Sequence, residues 1–296
     1  MGQMGDRLSL REVHLCDEGT APTLRAAEVA AYVTELAGCG EVRVRGSFLL
    51  ERSAEEQWPE IARRLAGLKV MDVSSPWRQR DPAHGEVEFE RRRLAKEDRG
   101  PHGVVYEGFG LQVMLREMMA ASRSLGGCAT VTSDKVHIMF TNRLVATWGD
   151  DLRHHLRTII LGIPAIISTS GLVEAPAKPR EFYLAQRQLG GAGQSQYALA
   201  RLREQFRGRF LDHDDPRLTE VAKGYVMQAV AYQLTGEAFC DDPGCRLFNA
   251  HWQEEMLRAQ LGEGQEQAPA QRGGRYCGRH QAWLRELKEE CPHCTP

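Results

Sequence analysis

The sequence predicts an α/β fold: a mixed sheet, one long core helix, and a C-terminal segment held by cysteine and histidine side chains. Three observations predict it. Hydrophobic spacing alternates between strand-like and helix-like periods through the first 68 residues. A capped apolar stripe runs from Pro216 to Thr235. Three short-spaced pairs of cysteine or histidine lie at and beyond Cys240.

Taken in order, Leu10–Leu15 reads as a short strand and Thr23–Ala37 as a helix with apolar positions at Leu24, Ala27, Ala31 and Leu36. Glu41–Leu50 alternates like a strand through Val42, Val44 and Phe48, and Glu55–Leu68 is helical again. Strand–helix–strand–helix order favours an α/β sheet. The charged, proline- and glycine-bearing stretch Ser74–Gly103 is expected to be an irregular insertion or linker. Leu111–Leu125 reads as a helix and Lys135–Thr141 as a strand. Arg157–Ser168 reads as a buried strand, or a tight pair of strands, broken by Gly162-Ile-Pro164. Pro176 and Pro179 predict a shaped loop over Gly171–Tyr183, and Gly190–Ser195 a flexible connection. The long helix then has Asp214 and Asp215 placed to cap it, Pro216 at its first position and Gly236 just past its end. The expected organisation is an N-terminal α/β part over residues 1–73, the insertion over 74–103, the core over 104–239 and a metal-binding segment over 240–296.

Composition narrows the function classes. Hydrophobic residues make up 42% and charged residues 26% of 296, with a formal net charge of −2. That is the balance of a globular protein without the basic footprint of a nucleic-acid binder. The basic run Arg91–Arg93 is interleaved with Glu88, Glu90, Glu97 and Asp98, and reads as a solvated helix face. The first residues lack the apolar stretch of a signal peptide, and the longest apolar run, Ile159–Ile167, is too short to span a bilayer. A cytoplasmic location without membrane contact is expected, where thiols stay reduced and clustered cysteines argue for metal before disulfide.

Five of the eight cysteines lie at or beyond Cys240. Cys240 and Cys245 are joined by a Pro-Gly turn, and Cys277 is followed at the third position by His280. These two hooks supply four soft or borderline ligands, which suits tetrahedral Zn²⁺ with every position filled and therefore a structural role. A third hook, Cys291 and Cys294, could replace one of the others. Cys16, Cys39 and Cys128 are scattered singly and read as core or surface thiols.

From Gly236 to His280 the chain resembles the archaemetzincins, zinc metallopeptidases whose long helix carries H-E-x-x-H-x-x-G-x-x-H-C. In that family a second cysteine, a methionine-bearing turn and a C-x2-C pair follow and complete a second, structural zinc site. Anchored on Gly236 and Cys240, Cys245 falls on the second cysteine, Leu247 on the turn methionine, and Cys277 with His280 on the closing pair. The segments Gly171–Tyr183 and Asn249–Gln253 look closer still to an archaeal set of predicted metallopeptidases. The resemblance implies a metzincin-like fold. It also shows a departure. Ala229, Gln233 and Phe239 occupy the three ligand-histidine places, and Val230 that of the general-base glutamate. Alanine, valine and phenylalanine can neither hold a catalytic zinc nor activate its water.

Outside the hooks, Glu174, Lys178 and Arg180 sit in the proline-stiffened stretch after an apolar strand. They are candidates to line a pocket with His154, His155 and His251 for a charged or peptide-like partner. The alternative is that Glu174 pairs with Lys178 or Arg180 at the surface. Asp212-His213-Asp214-Asp215 reads as helix capping. The expected function is a metallopeptidase-like protein with a lost or altered catalytic site. The alternative is a zinc-stabilised binding or regulatory protein with a peptide or protein partner; a zinc-ribbon nucleic-acid binder is disfavoured by the near-neutral charge.

Overall fold

A computed structural model describes residues 10–19, 21–38, 41–51, 53–95, 100, 103–122, 132, 134–190, 195–262 and 275–289. The chain opens with strand β1 (Glu12–Asp17), helix α1 (Ala26–Ala37) and strand β2 (Glu41–Arg45), as its alternating periodicity predicts. Helices α2 (Phe48–Glu51), α3 (Trp58–Gly67) and α4 (His84–Leu94) follow. Next come β3 (Val105–Glu107), α5 (Gly108–Ser122), β4 (Lys135–Thr141), β5 (Leu144–Trp148) and β6 (His154–Arg157). After these lie β7 (Ile159–Ile160), β8 (Ala165–Ser168), α6 (Thr169–Glu174), α7 (Arg180–Gln188) and α8 (Gln196–Gln205). The long helix α9 (Leu218–Thr235), α10 (Gln253–Leu261) and α11 (Gly278–Glu289) complete the described elements.

The fold is mixed α/β. One sheet has the order β2-β1-β4-β8-β7, parallel except for the short edge strand β7; a second has the order β3-β5-β6. Strand β1 lies inside the sheet, between β2 and β4, with both of its faces buried. Val13 and Leu15 face a core shared with Val29 and Val33 of α1 and with Val221, Val226 and Val230 of α9. Cys16, with Met139 of β4 and Ile166 of β8, faces a second core built on α3 and α5. The first core also takes in Cys245, Leu247, Leu284 and Leu287, so the C-terminal segment packs on the same hydrophobic body as the N-terminal strands. Among the described residues no helix is long and apolar enough to cross a membrane.

Five local expectations are corrected. Gly171–Tyr183 is not one loop. Helix α6 starts directly after β8, with Ser168 Oγ accepting from Gly171 N at 2.8 Å, and the prolines confine the irregular backbone to residues 175–179. Gly171 is demanded by space, since a Cβ there would meet Arg157 O at 2.3 Å. Ser74–Gly103 is irregular only in part: it contains α4, whose start is fixed by Glu86 accepting from Ala83 N at 2.8 Å. The charged face of α4 is not wholly solvated either. Arg91 pairs with Glu88 in solvent, but Arg93 is buried against Asn142 and Glu90 is fully buried. Strand β2 ends at Arg45, before Phe48, and α9 begins at Leu218, with Pro216 left in the turn ahead of it. Asp215 Oδ1 still accepts from Arg217 N at 2.8 Å, and Gly236 ends α9 in the left-handed region at φ 77°. Four of the residues in the expected flexible connection Gly190–Ser195, numbers 191–194, lie outside the described residues.

Candidate metal centre

The residues Cys240, Cys245, Cys277 and His280 meet in one cluster, their ligand atoms all within 4.8 Å of one another. Two backbone devices bring them together. The first is a tight turn. Cys245 N donates to Asp242 O at 3.0 Å, Gly244 N to Asp242 Oδ1 at 2.8 Å, and Asp242 N to Cys240 Sγ at 3.4 Å. Cys240 N reaches across to Leu247 O at 2.8 Å, closing the hook. The second device is the start of α11. Cys277 immediately precedes the helix and His280 lies three residues on, so both project from the same side of its first turn. Arg246 N donating to Arg275 O at 2.8 Å, with the bridge Cys245↔Arg275, pins the two devices to each other.

The donor set fits zinc in size and in chemistry. With Zn–S about 2.3 Å and Zn–N about 2.0–2.1 Å, a tetrahedral site has edges of about 3.8 Å between sulfurs and about 3.6 Å between sulfur and nitrogen. The observed separations are 3.7 Å for Cys240 Sγ–Cys277 Sγ, 3.5 Å for Cys245 Sγ–His280 Nδ1 and 3.1 Å for Cys277 Sγ–His280 Nδ1. Burial pushes the Cys245 thiol pKa up, which disfavours its thiolate unless a cation is near. Burial also lowers the His280 pKa, with Arg279 adding to it, so the imidazole is neutral and its Nδ1 lone pair is free to ligate. Cys291 and Cys294, the alternative ligands, lie outside the described residues, as do Cys39 and Cys128.

The preceding helix offers no second centre of this kind. Ala229 and Val230 are buried in the core, Gln233 is half-buried, and Phe239 is 41% exposed. Gln233, with Tyr232 and Gly236, instead lines an open cleft of about 670 Å³ whose other walls are Arg116, Ala120, Gly162 and Ile163. Arg116 Nε donates to Ile163 O at 3.0 Å, fixing α5 against the β7–β8 turn. Sequence reasoning missed this cleft, because its walls come from three segments distant in the chain.

The remaining candidates lie on two parts of the fold, around the proline loop and on β6. Lys178 Nζ lies 2.9 Å from Glu174 Oε2, so Glu174 does pair with Lys178, but the lysine is buried and the pair is not a surface one. The Glu174 carboxyl is held down to about 2, first by His213 and then by Lys178 against the opposing effect of burial. His213 Nε2 stands 3.6 Å from Glu174 Oε1. No local pattern marks His213 as the partner of a carboxylate so far back in the chain. His251 lies beside the proline loop, its carbonyl accepting from Ala177 N at 2.8 Å. Arg180 is exposed at the start of α7. His154 and His155 sit on β6 in the second sheet. There His154 is buried edge-on to Trp148, and His155 Nε2 meets Asp151 at 2.6 Å.

The profile of a probable metallopeptidase family (DUF6775) matches residues 9–286. No curated protein matches the chain. A crystal structure of a zinc-dependent peptidase from Methanocorpusculum labreanum (strain Z) is 12% identical over 92% of this chain and 99% of that chain, with a TM-score of 0.44. Archaemetzincin from Methanopyrus kandleri is 12% identical over 97% and 99%, with a TM-score of 0.41.

Proposed function

The chain belongs to the probable metallopeptidase family, and from that membership we propose that it is a zinc-stabilised binding protein that keeps the family's framework without its hydrolytic metal. The observation that carries this reading is on α9. Two positions where a metzincin needs a histidine and a glutamate hold Ala229 and Val230, both buried in the core. The other two histidine positions hold Gln233 and Phe239. No ligand set and no general base remain there for a metal-bound water. The cleft beside Gln233 persists. It combines an aromatic ring from Tyr232, an amide from Gln233, a cation from Arg116 and backbone exposed at Gly162 and Gly236. Such a surface suits a peptide or protein segment.

The Cys240–Cys245–Cys277–His280 cluster holds the structural zinc in this reading. When bound, zinc contributes folding free energy and cross-links α11 to the end of α9. Metal analysis of the purified chain, with a peptidase assay on the same sample, tests the proposal. One tightly held zinc per chain and no hydrolysis are expected. A second, chelator-sensitive metal that supports hydrolysis overturns it. For the cleft, Tyr232→Ala is expected to weaken binding of peptides selected against the native chain while leaving zinc content unchanged.

A further inference from the structure

The metal cluster has two unlike halves. Cys245 and His280 are buried, whereas Cys240 and Cys277 are half-buried with their sulfurs 3.7 Å apart. On the reading that this cluster holds zinc, we propose that Cys240 and Cys277 form an oxidative modification site. Hydroperoxides convert this pair to a disulfide and thereby unload the metal.

Geometry and chemistry both favour this pair over the other sulfur. Oxidation of a thiolate needs access and a resolving thiol at hand. Cys240 and Cys277 are half-buried at the edge of the core and offer each other as partners, while Cys245 is enclosed in that core with Leu247 and Leu284. A disulfide needs about 2.05 Å between sulfurs, so the pair closes by a small side-chain movement on either side of the existing hook. In the reaction one sulfur attacks the peroxide oxygen, the O–O bond breaks, and a sulfenic acid forms with release of the first water. The second thiolate attacks that sulfur, the S–S bond forms, and the second water leaves. Hydrogen peroxide gains two electrons, the two sulfurs lose them, and two protons come from solvent. Cys245 and His280 then remain as the only two ligands of the set, too few to retain the ion. Because the zinc joins the turn at Cys240 to the start of α11, its loss loosens the docking of that helix.

The test uses the full chain as purified, with zinc quantified before any oxidant is added. Hydrogen peroxide is titrated in the presence of a chromogenic zinc indicator, and unreduced digests are mapped by mass spectrometry. One equivalent of zinc is expected to appear for each Cys240–Cys277 disulfide, and thiol reductant with added zinc is expected to reverse both. Zinc that stays bound while other thiols oxidise overturns the inference, as does release accompanied by a crosslink through Cys245 or between Cys291 and Cys294. Absence of zinc at the outset defeats the underlying reading instead, so the two failures are told apart.

Discussion

A single carboxylate, Glu90 of α4, ties together three other segments. It accepts the Tyr106 hydroxyl at 2.6 Å and lies 3.2 Å from Lys69 Nζ and 3.3 Å from Arg143 Nη2. Arg143 in turn binds Glu18, just beyond β1, at 2.9 Å. Removing one member of a buried charge network leaves the others unpaired at a cost of about 3–5 kcal/mol. Glu90→Ala is therefore expected to lower the urea midpoint strongly, and Glu88→Ala on the exposed side of the same helix to leave it nearly unchanged. Equal effects would mean that Glu90 does not act through this network. At the metal cluster, Cys245→Ser is expected to release zinc and lower the melting temperature by on the order of 10 °C, since ligand loss removes several kcal/mol from a chain of this size. Unchanged zinc content in that variant would remove Cys245 from the ligand set. The hooks that form this cluster were legible because short spacings force their members together. Glu90 was not, because acid–base alternation on a helix looks the same whether solvent or a buried counter-charge lies opposite.

Helix α9 shows how far an element can be read in advance. Its length, apolar content and glycine stop follow from sequence, and so did β1, β4 and α1 in type. The prolines Pro176 and Pro179 do break the backbone, but only over residues 175–179; helices α6 and α7 take the rest of Gly171–Tyr183, because proline excludes a helix only at and just around its own position. What sequence does not show is why α9 carries Gly224 at its centre, where alanine would gain about 1 kcal/mol in helix propensity. A Cβ there would stand 1.7 Å from Gln260 Oε1 of α10. Gln260 cannot swing away freely, since it is buried and its Nε2 donates to Arg246 O at 2.8 Å. Overpacking of roughly 1–3 kcal/mol then outweighs the propensity gain. Gly224→Ala is expected to destabilise in thermal melts, and Gly224→Ala with Gln260→Ala to recover part of the loss. A stabilised single variant would show that α10 has room to move.

Across the whole molecule, titration gives stability a defined direction. Burial, with Arg45 and Arg43 nearby, outweighs the Glu12 hydrogen bond and lowers His14 below its ordinary 6.5, so the unfolded chain binds a proton that the folded chain resists. Stability falls as pH drops below that ordinary value. Glu86, through Arg80, and Glu174, through His213, are held down to about 2 from 4.5; their contribution is present above 4.5 and lost on acidification toward 2. Melting temperature is expected to decline in two stages, and His14→Gln to flatten the limb between about pH 7 and pH 5. An unaltered limb in that variant would assign it to other groups. The packing of α11 on α1 bears on how the chain is made. Lys288 Nζ reaches Glu35 O across 253 positions, and the Tyr276 and Tyr32 hydroxyls meet across 244. During translation α1 leaves the ribosome long before α11 exists, and contacts this distant in sequence slow folding. The nascent chain therefore carries the side of α1 that α11 covers without its partner through most of its synthesis.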